Sequence, residues 1–216
     1  MGRTHPPVRA CHNRRESAIL HGMRPRPLVI ACLLCVPIAG CVSGTNPAPS
    51  AAPAPNEPAG VGQASGTFSA PPGLAVTYDQ ALVPVGATAA VNTTEDDGKT
   101  SVSLDVTGLQ PNRRYGVHAH TMACGATGAD AGPHFQLRPD PVTPSVDPAY
   151  ANPQNEIWLD LTTDAQGAGE STSTVDWEIP ADRRPASVVI HSLPTSTEPG
   201  KAGMAGDRAA CITVPF

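Results

Sequence analysis

Four histidines are the residues of this 216-residue chain best suited to chemistry. They are the only histidines after residue 21, at positions His118, His120, His134 and His191. Neutral imidazole nitrogens bind copper, zinc, iron or nickel, and a set of imidazoles without a thiolate or carboxylate cluster favours copper. The sequence therefore predicts a metal site built from these four side chains.

The spacing of the histidines suggests how they could meet. His118 and His120 are two residues apart, so on a β-strand both side chains leave the same face. His134 lies in a long irregular segment, and His191 ends another strand-like run. Taken singly, each is more often a structural or solvated histidine than a ligand. Their joint placement on one strand face and at loop junctions favours the metal site.

The segments around the histidines alternate apolar and polar residues, which predicts β-strands. Turn sequences separate these runs, and no segment has the 3.6-residue apolar period of a capped helix. We expect an all-β sandwich or barrel with long functional loops at 122–155 and 193–208. The predicted strands, about eight in number, lie near 71–79, 84–94, 99–107, 114–121, 156–163, 168–176, 186–192 and 209–215.

The first forty residues predict a secretory signal. Residues 1–26 contain six arginines and one acid, and an apolar run at 28–38 follows that is too short to span a bilayer. Ile38-Ala39-Gly40-Cys41 resembles the lipobox of bacterial lipoproteins, which implies cleavage before Cys41 and a lipid on its sulfur. The alternative is an ordinary signal that happens to end at a cysteine. Met23 is a candidate for the true translation start.

Residues 41–66 follow as a segment rich in Pro, Ala, Ser and Gly. Such a composition cannot offset the entropy of ordering and predicts a disordered spacer. Residues 67–216 are then long enough for one domain with its own core. This organisation predicts an extracytoplasmic protein, lipid-anchored to the cell membrane in the periplasm or at the cell surface.

From Cys41 onward, eight Lys and Arg residues stand against eighteen Asp and Glu residues, a net charge of about −10. Nucleic acid is therefore excluded as a partner, because binding it depends on neutralising phosphates. The acids are better explained as a solubilising surface.

Two cysteines remain after Cys41, at Cys124 and Cys211. In an oxidising compartment such an isolated pair predicts a disulfide. The alternative is two free buried thiols. The absence of CxxC spacing argues against a redox motif or a thiolate zinc site.

Five short motifs occur in the order that they have in the copper/zinc superoxide dismutase family. They are Gly116-Val117-His118-Ala119-His120, Cys124, Ala131-Gly132-Pro133-His134-Phe135, Val189-Ile190-His191 and Gly206-Asp207-Arg208-Ala209-Ala210-Cys211. From about Gly66 to the C-terminus, the chain resembles this family. The resemblance implies an eight-stranded, immunoglobulin-like Greek-key β-barrel or sandwich with copper bound outside it.

The resemblance also implies roles for single residues. One copper per chain would be held by His118, His120, His134 and His191. His134 matches the histidine that bridges copper to zinc and returns a proton during catalysis. Arg208 matches the arginine that positions the anion, although a surface ion pair is its alternative. Cys124 and Cys211 match the disulfide that pins the metal loop to the last strand.

The chain departs from the family at the zinc site. Zinc-binding members supply two further histidines and an aspartate, whereas residues 137–156 contain no histidine and the aspartate position aligns with Ile157. Asp140 and Asp147 are too few to complete the four ligands of a zinc site. The chain thus resembles a copper-only branch, and we expect no zinc. Hydrogen-bond acceptors for the imidazoles are not identifiable from the sequence.

The activity implied is disproportionation of superoxide to dioxygen and hydrogen peroxide, which would protect the cell envelope. The alternative is a non-catalytic lipoprotein that buffers copper on the same barrel and has no use for Arg208 as an anion clamp. The oligomeric state is open, a homodimer included.

Overall fold

The computed structural model describes residues 60–216. The predicted signal, Cys41 and the linker up to residue 59 lie outside the described residues. Within 60–216 the regular elements are one 3-10 helix, η1 (Gly128–Ala131), and ten strands. The strands are β1 (Gly60–Thr67), β2 (Ala75–Thr77), β3 (Thr88–Asp96), β4 (Lys99–Thr107), β5 (Arg114–Tyr115), β6 (Val117–His120), β7 (Leu161–Thr162), β8 (Gly169–Val175), β9 (Ser187–His191) and β10 (Arg208–Thr213).

The strands form two four-stranded antiparallel sheets and one short pair. The first sheet has the order β1-β3-β4-β8, the second the order β2-β10-β9-β6, and β5 pairs with β7. In the second sheet β2 pairs with β10 and β6 pairs with β9, strands that are far apart in sequence, as in Greek-key connections. The prediction of an all-β Greek-key barrel or sandwich is confirmed. Among the described residues, none belongs to a helix of the length and apolarity needed to cross a membrane.

Alternating burial explains why the core forms where it does. In β4, Val102, Leu104 and Val106 are buried while residues between them are more exposed, so one face of the strand enters the core. β9 differs because all five of its residues are buried. Its second face lies under the loop that follows β6, where a small cluster joins Val189 to Ala131. The second sheet is therefore covered on both faces next to β6 and β9.

A disulfide joins Cys124 to Cys211, as the sequence predicted. It ties the loop after β6 to the middle of β10, and Cys124 N also donates to Thr213 Oγ1 at 3.1 Å. The bond closes a loop with a sequence separation of 87. In the chain-entropy model, a loop of that length contributes up to about 4 to 5 kcal/mol to stability.

The domain begins earlier than the sequence predicts. The predicted linker extends to residue 66, but residues 60–66 form most of β1, with Ala64 opposite Val91 of β3. A Cβ at Gly62 would overlap the carbonyl oxygen of Pro215. Small side chains thus let β1 approach the C-terminal backbone. The strand is held by its backbone hydrogen bonds to β3, and its sequence lacks the apolar alternation that would have predicted it.

The strand expected at 156–163 also differs. Only Leu161–Thr162 is a regular strand, while Glu156 and Trp158 form isolated bridges to Gln136 and His118. The irregular backbone allows both side chains to reach the histidines.

Candidate metal centre

The four predicted histidines form one cluster. One potential ligand atom from each of His118, His120, His134 and His191 lies within 4.8 Å of the others. Among residues 60–216 this is the only group of three or more His, Cys, Asp or Glu side chains with such spacing. The structure therefore brings the whole predicted set together, and the role of its members as copper ligands stays a prediction.

Pairing of β6 with β9 places three of the rings. His118 and His120 leave the same face of β6, and β6 pairs with β9, which ends at His191. The loop after β6 then returns alongside this strand, and the backbone of His134 forms an isolated antiparallel β-bridge with that of His120. Phe135, fully buried, donates its N–H to Ala119 O at 2.9 Å and anchors that return.

Hydrogen bonding determines which nitrogen of His118 is free. Its Nε2 lies 2.8 Å from Thr195 Oγ1. The Thr195 hydroxyl donates its hydrogen to Asp160 Oδ1 at 2.8 Å, so it can only accept from His118. The hydrogen is therefore on Nε2. His118 Nδ1 is buried with no hydrogen-bond partner, which leaves its lone pair for a cation.

The other three rings carry their hydrogen on the opposite nitrogen, Nδ1. Nδ1 of His120 lies 2.9 Å from Gly132 O, and Nδ1 of His191 lies 3.5 Å from Gly206 O. Nδ1 of His134 lies 2.8 Å from Glu156 Oε2. Carbonyl and carboxylate oxygens accept hydrogens, so the hydrogens are on Nδ1 and the lone pairs are on Nε2.

The facing lone pairs fit a metal ion. Nε2 of His120 and Nε2 of His191 lie 3.3 Å apart, and neither carries a hydrogen to share. Two acceptors at that distance are explained by a cation that both can bind. With the free nitrogens of His118 and His134, this gives a donor set of four imidazoles, which suits copper.

Burial keeps the rings in the form that binds metal. Desolvation lowers the pKa of His118 and His120 well below the usual value, and the neighbouring His134 lowers both further. Desolvation, followed by the charge of His134, lowers the pKa of His191 to about 3. Neutral imidazole is the ligand form, so these rings need to lose no proton when a metal binds at neutral pH.

Glu156 is the site residue that sequence reasoning missed. Its side chain is only 1% exposed. Oε2 accepts from His134 Nδ1 and from Trp158 Nε1 at 2.6 Å, and Oε1 accepts from Gln136 Nε2 at 2.7 Å. Three donors thus satisfy a buried carboxylate. The sequence does carry a signal for it, because Glu156 and Trp158 are two residues apart in an alternating segment, so both side chains can leave the same face.

Arg208 lies beside the cluster. It opens β10, and its register partner across the ladder is His191. Side chains of such partners are neighbours on one face of a sheet. Arg208 Nη1 donates to Gly128 O of η1 at 2.6 Å, so the loop held by the disulfide also holds the guanidinium. Desolvation lowers the pKa of Arg208, but a guanidinium remains charged at any relevant pH.

The two aspartates considered for zinc are engaged elsewhere. Asp140 accepts from Val142 N and from Ser145 Oγ, each at 2.8 Å. Asp147 Oδ1 accepts from Ala149 N at 2.8 Å. Both carboxylates close turns within their own loop. Neither belongs to the ligand cluster.

Comparison with known proteins gives a consistent assignment. The family described as copper/zinc superoxide dismutase matches residues 85–214. Superoxide dismutase [Cu-Zn] of Neurospora crassa is 30% identical over 126 residues, covering 54% of this chain and 80% of that protein. Among solved structures, Cu/Zn superoxide dismutase from Brucella abortus is 21% identical with a TM-score of 0.46, covering 59% of this chain and 88% of that one. A double mutant of a SOD-like protein from Bacillus subtilis is 16% identical with a TM-score of 0.45, covering 57% and 86%.

Replacing Glu156 tests how the centre is held. In Glu156→Gln the amide group points donors at His134, Trp158 or Gln136, so we expect copper affinity to fall about ten- to hundredfold. Competition with a chromophoric chelator measures it. Asp147→Asn, an exposed carboxylate of the same loop, is the control and should bind copper as the unmodified protein does. Unchanged affinity in Glu156→Gln would contradict the role of this carboxylate.

Proposed function

The chain belongs to the copper/zinc superoxide dismutase family, and we propose that it converts superoxide to dioxygen and hydrogen peroxide at one copper ion. The observation that carries this proposal is the set of four imidazole lone pairs directed at one point. Bound there, copper would supply the one-electron exchange with superoxide that dismutation requires. The remaining chemistry falls to residues of the chain.

We assign anion binding to Arg208. Its side chain lies beside His191, and one of its five N–H donors is used by Gly128 O, which leaves others for a small anion. The protein after Cys41 carries a net charge of about −10, so the overall field repels superoxide. A fixed local cation next to the metal ligands offsets that repulsion at short range.

We assign proton transfer to His134. Its side chain is 19% exposed, whereas those of His118 and His120 are fully buried, so it is the ring that solvent protons reach. Its Nδ1 hydrogen stays bonded to Glu156. Nε2 has one lone pair, so it would take up a proton only while the ring is not bound to copper, and would then pass that proton to the departing peroxide. The carboxylate of Glu156 would compensate the charge that the protonated ring gains.

We further propose that the centre holds copper alone. A bridging histidine would give Nδ1 to zinc, but in this chain Glu156 accepts from that atom. Asp140 and Asp147 are committed to turns, and Ile157 is buried in the core. Glu156 would thus orient His134 as zinc does in zinc-binding members of the family.

The proposed place of action is the cell envelope. It depends on the predicted signal at 1–40 and on lipidation of Cys41, with the remaining linker as a spacer to the barrel. The disulfide between Cys124 and Cys211 supports export, because such bonds persist in oxidising compartments. Superoxide arriving from outside the cytoplasm would then be the substrate.

Metal analysis combined with a superoxide-consumption assay tests the proposal. We expect one copper and no zinc per chain after exposure to both metals. Activity should appear with copper and remain unchanged when zinc is added. Bound copper without superoxide consumption would contradict the enzymatic proposal and favour a copper-buffering protein.

Arg208→Ala tests the anion site separately from the metal site. We expect kcat/KM for superoxide to fall by about tenfold or more, since a neutral side chain no longer attracts the anion. Copper content should be retained. Arg208→Lys should recover part of the activity, and Arg184→Ala, at an exposed arginine, should behave like the unmodified protein. Full activity in Arg208→Ala would defeat the assignment.

A further inference from the structure

We propose that Thr195 is a positioning residue for the copper site, whose hydroxyl relays the charge of Asp160 to the ring of His118. This inference rests on the copper site proposed above. It concerns a second hydrogen-bonded carboxylate, separate from Glu156, which contacts His134. The two carboxylates would thus act on different rings of the same centre.

The Thr195 hydroxyl connects the His118 ring to the Asp160 carboxylate. Asp160 Oδ1 lies 3.6 Å from His118 Nε2, which is too far for a direct hydrogen bond. The Thr195 hydroxyl lies between them, 2.8 Å from His118 Nε2 and 2.8 Å from Asp160 Oδ1. A hydroxyl accepts and donates at once, so the chain from ring to hydroxyl to carboxylate is continuous.

Both ends of this chain are fixed. His118 is fully buried and has no freedom to find another acceptor for its Nε2 hydrogen. Asp160 Oδ1 also accepts from Val117 N at 3.0 Å, so the carboxylate is held by the residue that precedes His118. Asp160 is 39% exposed, and solvent therefore screens part of its charge.

Gly116 leaves the space that Thr195 occupies. A Cβ at this position would lie 2.6 Å from Thr195 Oγ1 and 2.9 Å from Leu193 O. Gly116 N instead donates to Leu193 O at 2.8 Å, which draws the loop after β9 against the start of β6. The Cβ of Ala205 would be equally close, at 2.6 Å, so the glycine before the two histidines of β6 is explained by the close approach of this loop, the Thr195 hydroxyl included.

The relay has two consequences for a bound ion. It fixes the His118 ring with Nδ1 toward the cluster, because only Nε2 has an acceptor. It also makes the imidazole a stronger donor, since negative charge behind a ligand raises its basicity. A stronger donor favours the more highly charged state of copper and lowers the reduction potential of the site.

Substitutions at both residues test the relay in the copper-loaded protein. Thr195→Val keeps the shape and removes the hydroxyl, so we expect copper affinity to fall about ten- to hundredfold and the reduction potential to rise. Thr195→Ser should restore both values. Asp160→Asn can still accept from Val117 N and Thr195, so it should change the potential in the same direction with a smaller loss of affinity. Thr197→Val, at an exposed threonine of the same loop, is the matched control and should change neither.

The double variant distinguishes a relay from two independent effects. With the hydroxyl gone, Asp160 no longer acts on His118, so Thr195→Val with Asp160→Asn should match Thr195→Val alone. Additive losses would overturn the relay. A lower unfolding midpoint of the metal-free Thr195→Val protein with unchanged potential would show a merely structural threonine and also overturn it. If the unmodified protein binds no copper, the proposed function itself is refuted. If the unmodified protein binds copper and the Thr195→Val variant has the same copper affinity and reduction potential, only this inference is refuted.

Discussion

The centre depends on one constraint: each of the four rings commits one N–H to an oxygen outside the cluster. The remaining nitrogens, Nδ1 of His118 and Nε2 of the other three, then face one another with lone pairs only. Lone pairs confined in a buried site repel one another unless a cation lies between them. The affinity of the proposed site for a metal would therefore depend on the surrounding acceptors as well as on the histidines.

The barrel supplies those acceptors from separate parts of the chain. Adjacent strands β6 and β9 fix three rings, while the loop tied down by the disulfide brings His134 back to β6 and places Gly128 O against Arg208. The loop after β9 adds Thr195 and Gly206 O. The disulfide, the proposed anion site at Arg208 and the orientation of the four rings thus depend on the same loops.

The sequence was sufficient for the parts that have a local pattern. Alternation predicted the main strands, isolated cysteines predicted the disulfide, and the motif order identified the family. It failed where the deciding contact is long-range. Glu156 follows a proline-rich loop and looks like any surface acid until Gln136 and Trp158 close around it. β1 was missed because its small residues, which allow close backbone approach, do not give the apolar alternation that predicts a strand.

The tautomers of the four rings test this account most directly, through long-range proton–nitrogen correlation NMR of the metal-free protein at neutral pH. The account predicts a hydrogen on Nε2 of His118 and hydrogens on Nδ1 of His120, His134 and His191, with none on Nε2 of His120 or His191. A hydrogen on Nδ1 of His118, or doubly protonated rings at His120 and His191, would contradict it.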